Sequence, residues 1–202
     1  MKKTLIIAAV SIMVIAGVVF LYSNYRKQEK LMSEITTLQF SDVVLGDANT
    51  DHSVIIYFDY NCGFCKKFFK DVYPRFNENY IQTGKARIVL KLVCGLTDKM
   101  ALRANQTLIC INKYGNFDKL HRLLLHESKV MYTNVFSQLI EDYIVVNESL
   151  GECILDQEYP DVIRNIYQFQ ELKCKGTPTF VINDKLVVGF ITYEELIEKL
   201  NN

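Results

Sequence analysis

Cys62 and Cys65 stand two residues apart in YFDYNCGFCKKF, directly after the apolar run VIIYF. Two sulfurs at that spacing fit a redox dithiol, half of a zinc site, or a pair of small buried hydrophobes. The remaining cysteines, at 94, 110, 153 and 174, are single and far apart, so no second C-x-x-C or Cys/His knuckle completes a tetrahedral metal site. The three histidines do not help, since His121 and His126 are five apart and His52 lies alone. The spacing therefore favours redox chemistry, with no metal and no cofactor. A static disulfide between Cys62 and Cys65 is a poor alternative, because so small a loop removes little chain entropy.

Two elements must position these sulfurs. Ser53 to Asp59 is a short run of β-branched and aromatic residues, the pattern of a buried strand. From Cys65 onward, Phe64, Phe68, Val72 and Phe69, Tyr73, Phe76 recur at three- and four-residue spacing, which makes one apolar face of a helix. Pro74 lies inside that pattern and lacks a backbone donor, so it should kink or divide the helix. Cys62 thus falls between strand end and first helical turn. Unpaired N–H groups and the positive end of the helix dipole face that position and stabilise a negative sulfur. The thiolate is the nucleophile. Cys65, one turn on and beneath, can attack the mixed disulfide that forms at Cys62.

The rest of the chain reads coarsely as α/β. Ala86 to Val93 predicts a second buried strand after a turn at Thr83-Gly84. Residues 97 to 172 are mostly helical: Asp98 caps a helix through KMALRANQTLICINKY to Gly115, then follow FDKLHRLLLHE, NVFSQLIEDYIVV and DVIRNIYQFQELK. The tail returns to strand at TPTFVIN, turns at Asp184-Lys185, continues as LVVGF, and closes with a helix from Thr192 to Leu200.

With 202 residues, half of them hydrophobic, the chain can build one domain with a proper core. Its 23 basic and 23 acidic side chains balance, and no Lys/Arg-rich block offers the footprint of a nucleic-acid binder. After Met1-Lys2-Lys3-Thr4, Leu5 to Tyr22 is an uncharged run of 18 residues. That is close to the roughly 20 needed to cross a bilayer. It ends in Val18-Val19-Phe20-Leu21-Tyr22 rather than a small-x-small cleavage site, which favours an uncleaved anchor over a removed signal peptide. Arg26, Lys27 and Lys30 nearly balance Lys2 and Lys3, so orientation stays open. The expected organisation is an anchor at 1–22, a linker at 23–39 and a domain at 40–202.

Export places the domain where disulfides persist. Cys94, Cys110, Cys153 and Cys174 then become candidates for a structural disulfide, with three pairings possible if all four join. Cys94–Cys110 is near in sequence, and Cys153–Cys174 would close a helical hairpin. Cys110 on the apolar side of its helix also reads as a plain buried hydrophobe.

FDYNCGFCKK together with KGTPTFVIN resembles the thioredoxin-fold disulfide oxidoreductases of bacterial cell envelopes, in particular their DsbA-like branch. The likeness covers roughly residues 40 to 200. Ala101, Arg103 and Ala104, followed by KYGNFDKLHRLLL, resemble the first inserted helices of that branch. The resemblance implies a thioredoxin fold with a helical insertion at about 97–172 and thiol–disulfide exchange on exported unfolded or misoxidised proteins. It also implies a membrane redox partner and an extracytoplasmic, periplasmic location. Pro178 is implied as a cis-proline against the sulfurs. Thr177 would then offer its backbone to an extended substrate peptide.

Departures from the DsbA pattern bear on the reaction. DsbA proteins typically carry Pro-His between their cysteines, whereas here the dipeptide is Gly63-Phe64. Phe64 cannot hydrogen-bond a thiolate, so the pair should lie nearer the roughly −180 mV of protein disulfide isomerase than the roughly −120 mV of DsbA. Thr177 before the proline, a C-Gly-aromatic-C centre, and Ile56 where thioredoxin and DsbA have a buried acid are all similar to the DsbC and DsbG isomerases. No dimerisation domain of their size precedes the motif. Oxidase and isomerase thus both stay open, with an envelope reductase and a non-enzymatic thioredoxin-fold chaperone as alternatives. Binding alone needs neither cysteine. Tyr60 and Phe64 serve either an apolar substrate surface or the core. Asp59 either hydrogen-bonds near the catalytic helix or ends the strand, and His121 and His126 read as packed or solvated helix residues.

Overall fold

The computed structural model describes residues 2–39, 42–50, 52–114, 117–146, 148–156 and 158–202, with side chains described except at 2–11, 142, 143, 145 and 146. The predicted helix end at Gly115 lies outside these residues. The chain divides into two units, Met1–Thr37 and Leu38–Asn202.

The first unit is one helix, α1 (Lys2–Thr36), which runs through both the predicted anchor and most of the predicted linker. Its large apolar side chains from Ile12 to Tyr22 are 59–68% exposed. Beyond them the helix turns polar, with ion pairs Arg26–Glu29 at 3.0 Å and Lys30–Glu34 at 3.8 Å. Among the described residues no helix is long and apolar enough to cross a membrane. The side chains of residues 5–11, the first part of the predicted anchor, lie outside that description.

The second unit is built on a five-stranded sheet: β1 (Val43–Leu45), β2 (His52–Phe58), β3 (Ala86–Leu92), β4 (Thr179–Ile182) and β5 (Lys185–Val188). Their spatial order is β1-β3-β2-β4-β5. β2 and β3 run parallel, from His52 opposite Ala86 to Phe58 opposite Leu92; β1 and β4 pair antiparallel on either side, and β5 pairs antiparallel with β4. The near-continuous apolar runs of β2 and β3 suit strands covered on both faces, which places them inside the sheet. The largely exposed β5 and the three-residue β1 are the edges.

Between β2 and β3 run α2 (Gly63–Asp71), α3 (Tyr73–Phe76) and a π-helical turn, Asn77–Ile81. Pro74 divides the helix at Val72, since its ring cannot donate into the preceding turn. α2 is fixed to the sheet by aromatic contacts, Phe58–Phe69 and Phe68–Phe180, each with ring centroids 5.2 Å apart. The helical block between β3 and β4 comprises α4 (Lys99–Tyr114), α5 (Phe117–His126), a 3-10 turn at Ser128–Tyr132, α6 (Asn134–Val146), α7 (Glu148–Leu155) and α8 (Pro160–Glu171). Asp98 caps α4 by accepting from the Ala101 amide at 3.0 Å. The chain closes with α9 (Tyr193–Asn201), whose start carries a capping box between Thr192 and Glu195.

Two expectations are corrected. The β4–β5 turn lies at Asn183-Asp184 rather than Asp184-Lys185, and Lys185 already belongs to β5. Both turn residues have positive φ, 49° and 60°, which Asn and Asp tolerate better than Lys. Neither suggested cysteine pairing forms. Cys110 on α4 is bonded to Cys153 on α7, with Cα atoms 5.8 Å apart, because α4 buries Cys110 on the face that packs against α7. Cys94, in the segment after β3, and Cys174, in the segment between α8 and β4, are free thiols.

Candidate active site

β2 delivers the motif and α2 receives it. After Phe58 the chain makes a tight turn in which the Asp59 carboxylate accepts from the Asn61 amide at 2.8 Å and the Asp59 carbonyl from the Cys62 amide at 3.0 Å. This Asx turn ends the strand and sets the first cysteine at the cap of α2. Asp59 thus fills both roles that the sequence offered it. Burial pushes its carboxyl above the ordinary range and Asp98 adds to this, against the Asn61 amide and the Lys66 ammonium.

Cys62 has extended backbone, φ −83° and ψ 118°, and its carbonyl accepts the first helical bond from the Lys66 amide at 3.1 Å. Its sulfur is half-buried and donates to the Thr177 carbonyl at 3.0 Å. Cys65 is wholly buried behind it, and burial pushes its thiol well up; its sulfur also meets the Asp59 backbone and the Cys62 side chain. At neutral pH Cys65 therefore waits as a thiol, beneath a sulfur that solvent reaches. Gly63 opens the helix, and Phe64 beside it is 60% exposed.

The opposite side of the site comes from the loop before β4. The Thr177–Pro178 peptide bond is cis. The loop is pinned by the Thr179 hydroxyl, which donates to the Gly176 carbonyl at 2.7 Å, and by the Gly189 amide, which donates to the Pro178 carbonyl at 2.8 Å. Pairing of β4 with β2 brings Thr177 and Cys62 together. Cys94 and Cys174 do not join the site directly; both border an open groove of about 400 Å³ that reaches Asp59 and Thr177. Burial raises both thiols, that of Cys94 to about 12.

The aromatic surroundings divide differently from the sequence reading. Tyr60 is fully buried, so the substrate-surface reading holds no place for it, while Phe64 faces solvent. The Tyr60 hydroxyl bonds to His121 Nδ1 at 2.5 Å inside a cluster with Phe58, Phe69 and Phe117. Burial holds His121 down to about 4, so it packs as a neutral ring under the turn that carries Cys62.

Four contacts escaped sequence reasoning because each joins distant segments. Asn61 donates to the Tyr132 hydroxyl at 2.7 Å, which donates to Asp98 at 2.7 Å, tying the turn before Cys62 to the helical block. Lys66 on α2 donates to the Ser128 hydroxyl at 2.8 Å. Beneath the sheet, Lys91 pairs with Asp42 at 2.8 Å with both side chains fully buried. The only sequence signal for that pair was a lysine inside the apolar run ARIVLKL, opposite Tyr57 in the register.

Comparison with known proteins agrees with this architecture. Residues 39–202 match the family model described as Thioredoxin. Disulfide bond formation protein D of Bacillus subtilis is 23% identical over 165 residues, 78% of this chain and 74% of its own length. A Rickettsia prowazekii protein whose name assigns it provisionally to the protein-disulfide oxidoreductases is 25% identical over 174 residues, 81% of this chain. The chain spans 63% of that relative's length. The crystal structure of Wolbachia pipientis alpha-DsbA1 aligns with a TM-score of 0.65 at 20% identity, over 83% of this chain and 93% of its own. Oxidised BdbD from Bacillus subtilis aligns with a TM-score of 0.64 at 20% identity, over 80% of this chain and 91% of its own. At these identities the structures share the fold, a thioredoxin-like α/β sheet with helical content like that of DsbA proteins. With a family match over residues 39–202, the chain belongs to the thioredoxin family.

Proposed function

We propose that this protein is a thiol–disulfide oxidoreductase that forms or isomerises disulfides in exported proteins through Cys62 and Cys65. The observation that carries the reading is the sulfur pair itself: a half-exposed Cys62 at the start of α2, 3.0 Å from the Thr177 carbonyl, with a fully buried Cys65 behind it. The names of the Rickettsia and Bacillus relatives support the same chemistry.

In the reduced protein the Cys62 thiolate attacks one sulfur of a substrate disulfide. The substrate S–S bond breaks, a Cys62–substrate disulfide forms, and the other substrate sulfur leaves as a thiolate. If a second substrate thiol then attacks the bridged substrate sulfur, Cys62 is released and the substrate is isomerised with no net electron flow. If Cys65 loses its proton and attacks Cys62 instead, the Cys62–Cys65 disulfide forms and the substrate leaves reduced by two electrons. Run backwards from the Cys62–Cys65 disulfide, the same steps oxidise a substrate dithiol, and a membrane partner must then restore the disulfide. Thr177, beside the cis-Pro178, presents a backbone edge on which an extended substrate peptide pairs, and Gly63 and the exposed Phe64 border that edge.

The location proposed is the extracytoplasmic face of the membrane, with residues 5–22 as the anchor. The exposed apolar surface of α1 from Ile12 to Tyr22 supports this, since a solvated helix seldom presents so continuous a patch. The equilibrium potential of the Cys62–Cys65 pair in glutathione buffers, with Cys62→Ser as control, tests the function. A value near −120 mV indicates a dithiol oxidase and one near −200 mV or below an isomerase or reductase, on the scale where about 30 mV is about 1.4 kcal/mol. Absence of any two-electron transition refutes the enzyme reading.

A further inference from the structure

Between α2 and α5 lies an open groove of about 950 Å³ that begins at Gly63, the residue next to Cys62. α2 contributes Lys66, Lys67 and Lys70, and α5 contributes Arg122 and His126. The floor is apolar, formed by Phe69 and Leu125, and the one acid in the lining is Asp71. Arg122 pairs with Asp118 on its own helix. Lys66 meets the Ser128 hydroxyl and acts at a distance on the Asp59 carboxyl, while Lys67 lies 4.5 Å from the uncharged Phe190 ring centroid. The chain as a whole is neutral, so the groove is a local concentration of positive charge next to the reactive sulfur.

We propose that this groove binds an acidic polypeptide segment flanking the cysteine that exchanges with Cys62. The inference rests on the oxidoreductase reading and deepens it by naming the kind of partner. From Gly63 to Lys70 the helix rises about 10 Å. Three or four residues of extended chain at about 3.3 Å each span that length. A peptide bridged to Cys62 and running along α2 thus sets its flanking side chains between the lysines of α2 and Arg122 of α5, with its apolar parts over Phe69 and Leu125. An open groove of about 950 Å³ with apolar residues in its lining suits a polypeptide better than a small anion. Complementary charge of this kind acts mainly on encounter and register, and salt screens it.

The test uses the full chain and two fluorescent, cysteine-free octapeptides, one glutamate-rich and one lysine-rich, with binding followed by anisotropy. At low ionic strength the acidic peptide is expected to bind at least about tenfold more tightly, and at about 0.5 M salt the difference should collapse. The double variant Lys70→Glu/Arg122→Glu should invert the preference, with circular dichroism verifying that it is folded. If that variant does not fold, Lys70→Gln with Arg122→Gln serves, and the preference should then be lost. Equal affinity for both peptides, or an acidic preference that survives neutralisation of both side chains, overturns the proposal. Because neither peptide contains a sulfur, their binding reports on the groove, while thiol exchange at Cys62, assayed separately, reports on the oxidoreductase reading.

Discussion

The Cys62 thiol donates to the Thr177 carbonyl across 3.0 Å, although the residues lie 115 positions apart in the chain. The contact exists because β4 pairs antiparallel with β2, so the loop entering one strand meets the turn leaving the other. One sulfur faces outward at this junction and the other is sealed behind it. The two single variants should therefore behave differently. Cys62→Ser should lose thiol–disulfide exchange entirely, whereas Cys65→Ser should still attack and accumulate mixed disulfides that added thiol releases. Non-reducing electrophoresis and intact mass distinguish the cases, and equal residual activity in both variants contradicts the assignment.

The dipeptide between the cysteines offers a graded test. Gly63 occupies the first helical position, and a Cβ there meets nothing within 4 Å. Proline is at home at that position. Histidine in place of the exposed Phe64 restores a donor to a thiolate. A hydrogen bond to a charged group is worth about 1.5–3 kcal/mol, which corresponds to about 30–60 mV for a two-electron couple. The Gly63→Pro/Phe64→His variant should thus be more oxidising by that amount when equilibrated against glutathione. An unchanged or lower potential goes against it.

Peptide mapping should recover Cys110 joined to Cys153, with Cys94 and Cys174 alkylated as free thiols. The bond closes a loop of sequence separation 43. Chain entropy for a loop of that size corresponds to about 4 kcal/mol. Cys110→Ala/Cys153→Ala should lose stability on that order in urea titrations, while the Cys62–Cys65 potential stays in place.

His121 predicts an acid limb to stability. Its ring is held down to about 4 by burial, against an ordinary 6.5. Between those values the unfolded chain binds a proton that the folded one refuses, so the stabilisation is complete above pH 6.5 and is lost as pH falls towards 4. The difference to pH 4.5 is about 2–3 kcal/mol at about 1.4 kcal/mol per pH unit. Unfolding free energies at pH 7 and pH 4.5 should differ by that much more in the native protein than in His121→Gln.

The buried Lys91–Asp42 pair should show strong coupling. Removing either partner alone leaves an uncompensated buried group and costs about 3–5 kcal/mol, whereas replacing both by apolar residues of similar volume is often neutral. Asp42→Asn and Lys91→Met should each destabilise to that extent, and Asp42→Leu/Lys91→Met should recover most of the loss. Additive losses in a double-mutant cycle would show that the two side chains act independently.

The sequence by itself determined the local parts. A continuous apolar run before C-x-x-C specified β2, three- and four-residue periodicity specified α2, Pro74 specified where that helix divides, and Asp98 and Thr192 specified two helix starts. Each of these signals is carried by neighbours in sequence, where propensity, capping and amphipathicity act. Short elements such as β1, α7 and the π turn at Asn77–Ile81 gave no such signal, because too few residues repeat to define a period. Tertiary structure alone decided which cysteines bond, that Tyr60 is core and Phe64 surface, and that Asn61, Tyr132 and Asp98 form one chain of hydrogen bonds. It also set Lys70 of α2 and Arg122 of α5 in the lining of one groove that includes Gly63. Those relations depend on which helix face packs inward and on how the inserted block folds back over α2, and both are fixed by burial across the whole domain.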